Sequence, residues 1–121
     1  MTKQEIKEQT RIALRNALAK IEKPENWAQC AMAKDAYGFE TNTKYPDAHS
    51  FCSIGAIYGG NPIGIDSVCG DAIERALRLL AKAAGIKGAF EGGSRLAVWN
   101  DAEGRTHAQV KAAFEAAIDA A

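Results

Sequence analysis

The 121-residue chain carries 15 basic and 15 acidic residues, a formal net charge of zero, and 47% nominally hydrophobic residues. That length suits one domain spanning residues 1–121. The apolar runs are too short for a membrane span of about 20 residues, and the ordinary charged share excludes wholesale disorder. Because 24 of its 57 hydrophobic residues are alanine, only 33 larger side chains remain to build a core, the composition of a small, helix-rich domain.

Thr2 and Glu5 have capping-box spacing, so a first helix is expected from Lys3. Ile6, Ala13, Leu14, Ala17, Leu18 and Ile21 form its apolar face, and Pro24 ends it. Cys30 to Lys34 reads as a strand, Asp35-Ala36-Tyr37-Gly38 as a turn, and Phe39 to Thr41 as the returning partner, although the alternation is poor. Asp47 is the expected cap of a second helix from about Ala48 to Tyr58, with Phe51, Ile54 and Tyr58 along its inner side, stopped by Gly59-Gly60-Asn61-Pro62. A third helix is expected after a cap at Asp66 or Ser67, with Cys69, Ile73, Ala76, Leu77, Leu80 and Ala84 inward and Gly85 as its C-terminal cap. Gly88 and Gly92-Gly93-Ser94 mark a loop, and Arg95 to Trp99 is a short segment of undefined type. Thr106 and Gln109 repeat the capping-box spacing and open a final helix with Val110, Ala113, Phe114, Ala117 and Ile118 inward. The fold class is therefore mainly α: one domain of about four helices, with room for a short β-hairpin between the first two.

Charge is unevenly distributed. Residues 1–34 hold a net +3, residues 35–74 a net −5, and the rest +2. A balanced total speaks against a nucleic-acid binder, whose affinity rests largely on neutralising phosphates. Lys3, Lys7, Arg11 and Arg15 step by four residues, so they spiral by roughly 40° per step and read as a solvated helix margin. The acidic middle, with Asp35, Glu40 and Asp47, is a natural docking surface for a charged protein partner. Cys30, Cys52 and Cys69 cannot all pair, and no secretory signal precedes them, which points to a reducing cytoplasm.

Three constellations can be weighed for chemistry. Cys52 near a helix start is a candidate nucleophile, with His49 or His107 as base and Asp101 or Asn100 as orienter. A buried, inert thiol is the plainer reading. His49, Cys52, Cys69 and Cys30 are zinc-type ligands, but their spacing matches no zinc knuckle or finger, and no metal or other cofactor is expected. Trp99-Asn100-Asp101-Ala102-Glu103-Gly104-Arg105-Thr106 reads as a structural corner anchored by Trp99, or as a partner- or ligand-binding surface of Asn100, Asp101 and Arg105. The glycine pairs match no phosphate-binding loop.

Pro24-Glu25-Asn26-Trp27, then Phe51-Cys52-Ser53-Ile54-Gly55-Ala56, then Trp99-Asn100-Asp101 before Gly104-Arg105-Thr106-His107 occur in one order. In that order they resemble a family of small bacterial and phage proteins of unknown function, with F-C-x-x-G-A and W-N-D motifs, over Ile12 to Ile118. The resemblance implies a cytoplasmic domain in a bacterial host cell and a shared role for Cys52 and the Asn100-Asp101 region, but no activity. The expected function is that of a non-enzymatic accessory protein binding a macromolecular partner, such as a phage-encoded modulator or inhibitor of a host defence system. The alternative is a cysteine-dependent enzyme. A third reading is self-association through the alanine-rich last helix.

Overall fold

A computed structural model of the chain describes residues 1–61, 68–87 and 94–121. The first helix, α1 (Lys3–Lys20), begins as the sequence indicates: the Thr2 hydroxyl accepts from the Glu5 amide, and the Glu5 carboxylate accepts from the Thr2 amide. A single 3₁₀ turn at Pro24–Asn26 follows.

Strand β1 (Ala33–Lys34) pairs antiparallel with β2 (Ser50–Phe51), so Ala33 faces Phe51 and Lys34 faces Ser50. The Asp35–Gly38 turn forms as expected, with the Gly38 amide returning to the Asp35 carbonyl. The segment after it contributes one bridge, Lys34 to Glu40, while the paired strand comes from residues 50–51. Phe51 takes this position because it is buried, while its backbone pairs with Ala33 and bridges to Trp27; Phe39 is exposed.

This pairing displaces the second helix from its expected start. Helix α2 covers Ser53–Gly60, and its N-cap is Cys52, not Asp47. The Cys52 sulfur accepts from the Gly55 amide at 3.3 Å. At the other end Asn61 closes the helix, donating to Ile57 and to the Ala13 carbonyl of α1. Pro62, Asp66 and Ser67 lie outside the described residues, as do Gly88 and Gly92-Gly93, but the N-cap of the third helix is Cys69 and not Asp66 or Ser67.

Helix α3 (Gly70–Ala83) ends in a Schellman motif: the Gly85 amide reaches the Lys82 carbonyl and the Ile86 amide reaches Ala81. Gly85 has φ +81°, which a side-chain-bearing residue adopts only with strain. The segment of undefined type is helical: α4 covers Ser94–Asp101, which makes five α-helices among the described residues. Helix α5 (His107–Ala120) opens with the expected Thr106–Gln109 capping box.

Helix α1 packs on α2, α3 and α5, while α4 packs on α2. Leu14, Ile21, Ile57, Leu80, Leu96, Val110 and Phe114 are fully buried at the centre. Each such side chain stabilises the fold by roughly 1.5–3 kcal/mol. Ala13, Ala17, Ala76, Ala113 and Ala117 are buried among them. The alanines therefore serve in the core as spacers that let helices approach closely. No helix among the described residues is long and apolar enough to cross a membrane.

Candidate functional site

Two sequence-distant segments, around Trp27 and around Ser53, converge on the end of α4. Asn100 is completely buried. Its Oδ1 accepts from the Trp27 indole at 2.8 Å, the Ser53 amide at 3.0 Å and the Ser53 hydroxyl at 2.6 Å. Its Nδ2 donates to the Ala28 carbonyl at 3.0 Å and to Asp101 Oδ1 at 2.9 Å. The Trp27 indole and the Ser53 amide can only donate, so the atom facing them is the amide oxygen. Both amide protons and the oxygen are therefore committed. Asn100 ties Trp27, the start of α2 and α4 together, and has no capacity left to orient a catalytic histidine.

Asp101 Oδ1 also accepts from the Cys30 amide at 2.9 Å. Cys30 has φ +67°, a conformation uncommon outside glycine. Gln29 adds a clamp, donating to the carbonyls of Asn100 and Ala102. Gly55 sits where a Cβ would stand 1.8 Å from the Met32 carbonyl oxygen, so only glycine admits this contact of α2 with the residue before β1.

Beside this junction lies a groove of about 560 Å³ whose lining includes Cys30, Met32, Glu40, Cys52, Ala97 and Asp101. Cys52 is buried, and its sulfur lies 3.9 Å from the Met32 sulfur. Burial pushes its thiol pKa up; the Gly55 and Ile54 amides pull the other way, and the Asp101 charge reinforces the rise. The thiol is thus held protonated at neutral pH, opposite to what an activated nucleophile needs.

The remaining candidates are dispersed. His107 Nε2 lies 2.6 Å from the Ile21 carbonyl oxygen at the end of α1, and neither His107 nor His49 lines the groove. Arg105 closes the corner between α4 and α5: it donates to the Trp99 carbonyl and stacks 4.4 Å from the Trp99 ring centroid. The Asp35 carboxylate accepts from the Tyr37 and Phe39 amides, and Asp47 accepts from the Thr41 hydroxyl. Glu40 is exposed and shares the groove with Asp101 and Cys52. The sulfur of Cys69 lies 3.6 Å from that of Met1. No group of three metal-ligating His, Cys, Asp or Glu side chains occurs among the described residues.

Sequence reasoning missed the roles of Trp27, Ser53 and Gln29, whose partners stand 47 to 73 residues away. The signal for Trp27 and Ser53 was their place in the short motifs. Trp27, Ser53, Asn100 and Asp101, drawn from these separate segments, are contact residues of one buried junction.

The fold and this junction define a small helical domain locked by a buried asparagine. The chain belongs to a family of unknown function (DUF6197), whose model matches residues 6–120. No match was found among curated proteins or among solved structures.

Proposed function

We propose that this protein is a non-enzymatic accessory protein that binds a protein partner through the loop between β1 and β2. One observation carries the reading. Tyr37, Phe39 and Tyr45 are 88%, 71% and 60% exposed on a loop held in shape by its own hydrogen bonds. Large aromatic side chains standing in water on an ordered segment contribute nothing to the core. They are the side chains that most often anchor protein interfaces, at little further entropic cost. Asp35, Glu40 and Asp47 lie on the same loop, so the matching surface carries basic groups beside apolar pockets.

The earlier resemblance to bacterial and phage proteins supports a concrete version: a phage-encoded modulator of a host system, including a defence system, acting in the bacterial cytoplasm. The cysteine-dependent alternative lacks support, since Cys52 is buried and protonated and no histidine lines its groove.

Affinity capture from the native host or from infected cells tests the proposal. A partner retained by the wild-type chain and lost by the Tyr37→Ser/Phe39→Ser variant supports it. Recovery of no partner under mild salt, together with turnover of a small molecule, overturns it. Light scattering across a dilution series separates a second copy of the chain from a foreign partner.

A further inference from the structure

The loop has a second face, turned toward α1 and α2. Lys20, Lys44, Tyr45, Phe51, Tyr58 and neighbouring residues line an open pocket of about 430 Å³, distinct from the groove at Asp101. That volume falls within the range of small-molecule sites, roughly 300–1,000 Å³.

Both charged residues that line it are basic. Residues 35–74 contain six acidic residues and a single basic one, Lys44, and that lysine converges with Lys20 here. No acidic residue lines the pocket. Among the described residues neither lysine takes part in an ion pair. The Lys20 ammonium instead stands 5.6 Å from the centroid of the buried Phe51 ring. Tyr45 and Tyr58, 60% and 40% exposed, supply accessible rings at the rim.

Two cations beside an aromatic floor repel a cationic ligand, and a neutral apolar ligand would desolvate them without return. An anion neutralises both, and a planar ring on the same molecule can lie against the tyrosines. We propose that this pocket binds a small anion carried on an aromatic ring, phosphorylated or carboxylated. The proposal shares Tyr45 with the partner-binding reading but does not draw on Tyr37 or Phe39, so the Tyr37→Ser/Phe39→Ser variant, which spares the pocket, separates the two.

Isothermal titration of the full chain tests it, with adenosine monophosphate and indole-3-acetate as the two aromatic anions. Adenosine and inorganic phosphate are the controls that lack charge or ring. At least one aromatic anion should bind with a Kd below about 1 mM. Lys44→Glu should weaken it by about tenfold or more, Lys20→Glu should do likewise, and each control should bind about tenfold less tightly. The response to the two anions tells a phosphoryl from a carboxylate source. Lys44 is exposed and among the described residues its side chain makes no hydrogen bond or ion pair, so its substitution should leave the fold intact, which a thermal melt verifies. Absence of binding by both aromatic anions, binding unaffected by Lys44→Glu, or phosphate alone binding as tightly would each overturn the proposal.

Discussion

Asn100 Oδ1 accepts both the backbone amide and the hydroxyl of Ser53, at 3.0 and 2.6 Å, so one buried side chain joins the helix starting at Ser53 to the helix ending at Asp101. Removing it leaves the Trp27 indole, the Ser53 amide and the Ser53 hydroxyl without an acceptor. Orphaned buried donors cost about 1–3 kcal/mol each, so Asn100→Ala should lose about 3 kcal/mol or more. Ser53→Ala loses only the hydroxyl bond, about 1 kcal/mol. Urea unfolding with a constant slope would read both changes. A loss under 1 kcal/mol for Asn100→Ala would contradict the role assigned to this residue.

Glycine substitutions should separate close approach from ordinary helix packing. A methyl group at Gly55 meets the Met32 carbonyl at 1.8 Å, so Gly55→Ala should destabilise by about 1–3 kcal/mol or more, because backbone must move. At Gly70, the first residue of α3, nothing lies within 4 Å. Gly70→Ala should be neutral or stabilise by up to about 1 kcal/mol, through the unfolded chain. Thermal melts of the pair give the comparison.

The cysteines should differ in reactivity. Exposed Cys30 should be alkylated first by iodoacetamide at neutral pH, and buried Cys52 only after denaturation, as peptide mapping would reveal. The raised Cys52 pKa also makes a pH prediction. Its folded-state value lies above the unfolded one, so its contribution is fully present below the ordinary thiol range. It is lost as pH rises through that range toward the folded value. Cys52→Ser keeps a capping oxygen and lacks this titration. The wild type should therefore lose Tm relative to Cys52→Ser above about pH 8.5, with no such drift at neutral pH.

The exposed loop aromatics should be dispensable for folding. Tyr37→Ser and Phe39→Ser should each change stability by no more than about 0.5 kcal/mol. The double variant should lose the partner captured by the wild-type chain, a pairing of results that a core role for either ring would not produce.

Thr106 caps α5 through its hydroxyl, with the Gln109 side chain returning to its amide. Thr106→Ala should cost about 1 kcal/mol. Faster hydrogen exchange confined to the first turn of α5 would locate the loss.

Local chemistry made much of this fold legible. The capping boxes at Thr2 and Thr106, the Gly85 terminator and the inward faces of α1, α3 and α5 depend on residues within a turn or two of one another. Sequence spacing therefore reports them directly, as it reports a mainly helical chain. The second helix was misplaced for the opposite reason. Asp47 is a good cap in isolation, but residues 50–51 gain more by pairing with residues 33–34, and the helix must wait until Cys52. Helical α4 was equally obscure, because Arg95 to Trp99 is too short for periodicity to declare itself.

By itself, then, the sequence determined the helical character, the charge asymmetry and the short motifs around Trp27, Cys52 and Asn100. Only the tertiary structure decided what those motifs do. The partners of Asn100 lie 47 and 73 residues away, and no local rule links residues at such separation. The same folding buried Cys52 with a protonated thiol, left Tyr37 and Phe39 in water, and drew Lys20 toward Lys44. Burial and long-range hydrogen bonding are properties of the packed chain, and they decide which polar groups are consumed by structure and which remain available to a partner.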